Sequence, residues 1–336
     1  MPSLDQVSVL LVWTAVAIYA LAFIFYTIDL ARRSSQALDA KDAAAVRDRE
    51  LVAAGGGDAV AGVRAGGSAS LVVAPSQRVR PVFARIGTSL TWLAFLFHIG
   101  ADVLRGVAAG RVPWANMYEF ALTGTMLVVA VFLAVLFRYD LLFLGALITG
   151  FVVLLLGGSI FAFYVQVAPL ADPLKSPWLV IHVFVASLAT AFFALTFGLS
   201  LLQLLQSRHE RKVLTADGAP VRGWGFLRTL PSSDTLESLA YRFAIVGFIF
   251  WTFTLIAGSI WANDAWGRFW GFDTKEVWTF VIWVLYAGYI HARATRGWRG
   301  TRSAWLSIIG FTAVLLNFAV VNVFFKGLHA YSGLTN

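Results

Sequence analysis

Two kinds of residue in this chain are suited to chemistry: imidazoles, and a dense run of aromatic rings. Histidine occurs five times, at His98, His182, His209, His291 and His329. Neutral imidazole is a good ligand for iron, zinc or copper. Cysteine is absent, so the chain has no disulfide, no thiolate metal site and no thiol of its own, and a reaction that uses thiols must take them from a partner or substrate. The aromatic run is WANDAWGRFWGFDTKEVW, from Trp261 to Trp278. It holds Trp261, Trp266, Trp270 and Trp278 with two Phe, two Gly, Asp264, Asp273 and Glu276. Trp is commonly enriched at membrane interfaces as an anchor. That accounts for Trp114, Trp178, Trp298 and Trp305 better than for a WxxxxWxxxW spacing interleaved with Gly and acids. So much flat aromatic surface points to a large, flat, apolar ligand.

The elements that must position these groups are membrane spans. Of the 336 residues, 59% are apolar and 13% charged, and mean hydropathy is +0.76. Several stretches approach the ~20 apolar residues that cross a bilayer. The reading is an all-α integral membrane protein of about eight transmembrane helices, near 7–30, 86–105, 119–137, 141–165, 178–206, 239–260, 277–295 and 303–325. The first has no basic n-region and no small-residue cleavage site, so it reads as a retained span. The net charge of +8 does not require nucleic acid. Of the 26 Lys and Arg, all but Arg105, Arg111, Lys175, Arg268, Lys275 and Lys326 fall on one side. That asymmetry places the rich side in the cytoplasm. Both termini and the Trp-rich segment, read as a loop, then face the extracytoplasmic side of a plasma membrane.

Three parts follow: residues 1–30 as the first helix, 31–85 as a cytoplasmic Ala/Gly-rich, partly disordered loop, and 86–336 as a seven-helix core with the aromatic segment at 261–278. The early part of the loop, LDAKDAAAVRDRELVAA, is suited to a charged helix continuing from the first span.

On this topology His182, five residues after Pro177, lies about one turn into the fifth span, and His329 follows the last span. Both are level with the aromatic segment. The plain alternative for each is an interfacial imidazole bonded to a backbone carbonyl. His291 comes 15 residues after Glu276, roughly 22 Å deeper at ~1.5 Å per residue, so it implies a second site or a residue reaching the inner surface beside Arg293. His98, at mid-depth, suits a helix–helix hydrogen bond. His209, in SRHERK, reads as solvated. A porphyrin fits the combination: apolar faces for Trp and Phe to cover, and an iron that takes two axial imidazoles from separate segments. Asn116, Asn263, Arg268 and Lys275 stand at a depth where propionates would want donors.

At this point the segment resembles the WWD signature of haem-handling membrane proteins of cytochrome c biogenesis, most nearly the CcsA/ResC family of system II (CcsB in actinobacterial naming). PWANMYEF, SPWLVIHV, YIHARATRGWRG and GLHAY occur in family order, and the resemblance covers nearly all of the chain outside 31–85. It implies His182 and His329 as external axial ligands of haem b, with Trp261, Trp266, Trp270, Phe272, Asp273 and Trp278 as the platform. It implies His291 as ligand of an intramembrane transit haem whose opposite ligand comes from a ResB/Ccs1-type partner, with His98 a secondary candidate. Haem would be presented to the CXXCH motif of an apocytochrome c, the chain acting as a subunit of a haem lyase complex. The family pattern Trp-Asp-Pro-Lys-Glu is replaced here by Phe272-Asp273-Thr274-Lys275-Glu276, where an aromatic ring remains to pack on a face. The alternatives are a system I haem-delivery protein, a membrane di-haem electron-transfer subunit, and a transporter of another solute. Unmatched histidine depths argue against the second, and spans with few midplane polar residues against the third.

Overall fold

The computed structural model describes residues 2–54 (backbone alone for 36–54), 81–216, 225–295, 297–325 and 327–329. Among these are eight long helices and no strand: α1 (Leu4–Ala54), α2 (Val82–Ala109), α3 (Met117–Leu136), α4 (Gly145–Phe163), α5 (Pro177–Thr215), α6 (Ser233–Trp266), α7 (Thr274–Ala294) and α8 (Thr301–Leu316). The last continues through a π-turn, Asn317–Val321, to Phe324. Seven helices are long and apolar enough to cross a membrane. The exception, α7, has 21 residues but carries Lys275, Glu276, His291 and Arg293 at its ends. The chain is an all-α integral membrane protein. α1 runs without a break into the segment expected to be a loop; residues 55–80, where disorder was expected, lie outside the described residues.

Local chemistry fixes the helix boundaries. α3 begins at Asn116, whose side chain accepts from Glu119 N–H, and α5 at Ser176 with Pro177 in its first turn. Both satisfy otherwise orphaned donors. α6 begins at Ser232 and does not stop before the aromatic run. WANDAW contains no helix breaker, so the helix carries on to Gly267, whose left-handed φ of 70° closes it. The expected loop from Trp261 to Trp278 is therefore a helix end, a short turn and a helix start. Trp261 and Trp266 lie on α6 and Trp278 on α7.

Helix association inside a bilayer rests on packing and polar contacts more than on the hydrophobic effect. α5 packs against α3, α6 and α8, and α1 against α2 and α4. Phe193 of α5 stacks on Tyr286 of α7 at 3.6 Å and fits over Gly247 of α6, where a Cβ would come within 2.7 Å of its ring. Gly145 makes the same room for Tyr26. The alternating helices bring Asp5, Arg105, Glu119, Tyr164, His182, Trp261, Asp273 and His329 to one end, the aromatic end. Arg138, Glu237, Arg293 and Arg299 collect at the other, the basic end.

Candidate functional site

A cavity with an empty volume of about 1370 Å³, its open mouth included, enters the bundle from the aromatic end. On α5 its wall runs from His182 to Ala194, roughly 18 Å along a helix axis. The walls are mostly apolar, with Phe120, Phe151, Trp251, Trp261, Phe269, Trp270, Phe311 and Phe318 among them. Polar groups collect near the mouth: His182, His329, Lys275, Glu276, Asn317 and Asn322.

Both imidazoles pack against Trp261. The His182 ring stacks on the indole with 5.8 Å between centroids, and His329 makes a T-shaped contact with it at 5.3 Å. Trp261 is pinned by its own N–H, which donates to the Pro173 carbonyl at 2.9 Å. His182 Nδ1 lies 3.0 Å from the Thr254 carbonyl oxygen. A carbonyl can only accept, so Nδ1 carries the proton. His329 Nδ1 lies 2.7 Å from Asp273 Oδ2. Among the described residues neither Nε2 has a hydrogen-bond partner, so each ring presents a lone pair. Gly258 makes this possible for His182, because a Cβ there would stand 2.7 Å from the ring.

Asp273 ties three segments together. It is the N-cap of α7 in a capping box: its carboxylate accepts from Lys275 N–H, while Glu276 Oε2 accepts from Asp273 N–H at 3.1 Å. Its other oxygen accepts from Leu328 N–H at 2.9 Å. Burial pushes the Asp273 carboxyl up, but the hydrogen bonds from His329, Leu328 N–H and Lys275 N–H outweigh it, leaving it below the ordinary carboxylate range. Burial lowers His329, and the Asp273 hydrogen bond only partly opposes this. The pair is thus a carboxylate beside a neutral imidazole.

The other expected site residues separate into groups. Trp270 and Lys275 line the cavity, and Lys275 Nζ donates to Asn322 Oδ1. Trp266 stands behind His329, at 4.8 Å, and Trp278 packs against the main core. Asn116 is committed to capping α3, and Asn263 is exposed at the end of α6. Arg268 folds over Gly271, with Nη1 3.9 Å from Glu276 Oε2. Phe272 meets Trp270 in a T-shaped contact with 6.0 Å between centroids. It is 80% exposed and has φ 58°, a left-handed conformation costing a bulky residue roughly 1–3 kcal/mol. Glu276 Oε2 holds it there by accepting from Gly271 N–H and Asp273 N–H on either side.

His98 is fully buried with both ring nitrogens engaged, by the Leu122 carbonyl at 3.0 Å and the Tyr19 hydroxyl at 3.4 Å. His291 lies at the basic end, exposed on the last turn of α7. That turn is anchored by Arg293, which pairs with Glu237, whose other oxygen accepts from Gly300 N–H. Sequence reasoning missed Trp251, Glu276, Asn317 and Asn322 as cavity residues. A Trp deep in an apolar span was a signal for the first, and the Asp273-x-x-Glu276 capping pattern for the second.

Residues 114–329 match the family model described as cytochrome c assembly protein. A protein of Guillardia theta named cytochrome c biogenesis protein CcsA is 33% identical over 272 residues, 77% of this chain and 89% of its own length. A Prochlorococcus marinus protein of the same name is 33% identical over 249 residues, 68% of this chain and 78% of its own. Among solved structures, a cytochrome c heme lyase, CcmF, superposes with TM-score 0.61 at 15% identity. The match covers 95% of this chain and about half, 47%, of the larger protein, and it speaks to the fold alone.

Proposed function

The chain belongs to the cytochrome c assembly family, as a CcsA-type member that handles haem in cytochrome c biogenesis, and from that premise we propose that His182 and His329 hold haem b at the aromatic end and present it to an apocytochrome c. One observation carries this reading. Two imidazoles from distant segments each have Nδ1 committed to a protein acceptor, and each keeps Nε2 free beside one aromatic-walled cavity. A bare metal ion would need further donors, whereas a porphyrin brings four and asks the protein for axial ligands.

The chain's residues then divide the work. Trp261 packs against both imidazoles and steadies them, Trp270 and Phe269 cover apolar surface, and the Lys275 side chain is a donor on the wall suited to a propionate. The haem vinyls accept the two substrate thiols, each S–H adding across a C=C bond, and the imidazole of the CXXCH motif replaces one of the chain's own. The chain contributes position and axial ligation. The charge asymmetry of the sequence supports an extracytoplasmic orientation for the aromatic end, in what we read as the plasma membrane. Exposed His291, about 22 Å away along α7, is too distant to share the site. It serves a second, inner haem whose opposite ligand comes from a ResB/Ccs1-type partner. Together they form a haem lyase complex.

The test is the purified complex. It should show a low-spin bis-His haem spectrum, and His182→Ala with His329→Ala should remove that spectrum and cytochrome c maturation together. Haem content and maturation left intact in the double variant would refute the outer site.

A further inference from the structure

We infer that Asp273 is a positioning residue for haem: its carboxylate fixes the tautomer and direction of His329, so that Nε2 reaches the cavity as a bare lone pair. The inference rests on the reading of His329 as an axial ligand, and it adds the group that makes it one. A carboxylate has no proton to give, so a bond of 2.7 Å between Oδ2 and Nδ1 requires Nδ1 to donate. The opposite tautomer would put a proton on Nε2 and lose this bond. A carboxylate behind a ligating imidazole also raises its donor strength and locks its ring.

The carboxylate is itself immobile. Oδ1 accepts from Leu328 N–H, Oδ2 also accepts from Lys275 N–H, and the backbone N–H of Asp273 is held by Glu276. Its side chain is 7% exposed. The tail passes so close that a Cβ at Gly327 would stand 2.2 Å from Oδ1. Hence the N-cap that starts α7 is also the latch that holds a segment more than fifty residues downstream in the chain, and the helix start and the iron ligand are set by one group. His182 has a carbonyl in the same role, so the two ligands differ: one is backed by a neutral acceptor and the other by an anion.

The experiment uses the full chain labelled with ¹⁵N-histidine, with His329 assigned by difference from His329→Ala. Without haem, His329 should show a protonated Nδ1 and an unprotonated Nε2. A protonated Nε2 in the parent chain would overturn the inference, whatever any variant does. Asp273→Ser keeps a good N-cap but is too short to reach the ring, so both tautomers should appear. With haem, that variant should retain it about 10–100-fold less tightly, lose the bis-His spectrum, and regain it with added imidazole. Asp273→Asn, which keeps one oxygen, should fall between the two. A parent-like tautomer and spectrum in Asp273→Ser would overturn the inference, whereas a parent-like spectrum in His329→Ala would overturn the site itself.

Discussion

The aromatic end contains two buried polar systems built on opposite plans. Between α1, α2 and α3 the groups close on one another. Arg105, 0% exposed, donates through Nε to Glu119, through Nη1 to Asp5 and through Nη2 to the Val165 carbonyl. Glu119 also accepts from Arg111 and from Ala115 N–H, and His98 has a partner on each ring nitrogen. Between α5, α6, α7 and the tail the groups stay open. Each outer imidazole holds one partner and leaves Nε2 toward the cavity, and Glu276 Oε1 and Asn317 Oδ1, on the same wall, are buried with no hydrogen-bond partner. Burying a polar group without a partner is costly. The closed system has unpartnered atoms too, Arg111 Nε and Tyr118 Oη, but its carboxylates and guanidinium groups are all paired with one another. Such a network reads as scaffold, and imidazoles left open on a cavity wall read as built for something that arrives. Two imidazoles in one membrane protein, His98 and His182, are told apart by what their second nitrogen touches.

The largest effect should come from breaking the closed system. Arg105→Ala leaves the Glu119 carboxylate buried with its second cation, Arg111, as remaining compensation, and removes the link from α2 to the start of α1. Loss of one partner of a buried ion pair costs about 3–5 kcal/mol. Thermal unfolding in detergent should show a large fall in midpoint, while protein that remains folded keeps the parent haem spectrum. A spectral change at unaltered stability would mean that this network belongs to the site.

Next comes a direct exchange of the two histidines. His98→Ala empties a fully buried position and leaves the buried Tyr19 hydroxyl without its partner; it should cost roughly 1–3 kcal/mol, with haem content and spectrum unchanged. His182→Ala should do the reverse, losing the six-coordinate low-spin signature with a smaller stability change, since the Thr254 carbonyl stays in its helix. If His98→Ala removes haem instead, engagement of both nitrogens does not mark a structural imidazole.

Much of this was legible in the sequence, for identifiable reasons. Eight helices could be placed because each span is a long apolar run with polar or Gly/Pro boundaries, and a bilayer tolerates few other backbone arrangements. The candidate ligands were legible because imidazole is scarce in the spans. Other features were not. No breaker in WANDAW stops α6, so the first third of the expected loop is helix. The left-handed Phe272 depends on Glu276 gripping both of its neighbours. The return of the tail onto Asp273 is a long-range contact that no local pattern encodes. The capping pattern at Asp273 and Glu276 announced a helix start, but nothing in it announced that the same carboxylate would hold His329.

The finest distinction concerns how tightly the open site is held from behind. His182 is pressed against α6 at Gly258, where an added Cβ would lie 2.7 Å from Cε1 and 2.8 Å from Nδ1, closer than real contacts allow. Gly258→Ala must therefore push the ring into the cavity or off the Thr254 carbonyl. Either shift misdirects Nε2, and displacement of an iron ligand should weaken haem retention about tenfold while the fold survives. Gly158→Ala is the matched control. It places the same methyl on exposed α4 with nothing within 4 Å, removes a helix-interior glycine, and should leave haem unchanged while stabilising by roughly 0.5–1 kcal/mol. Haem retention measured by titration in both variants decides the matter. Equal retention would mean that His182 is free to reorient, and that its open nitrogen is a matter of mobility, not of construction.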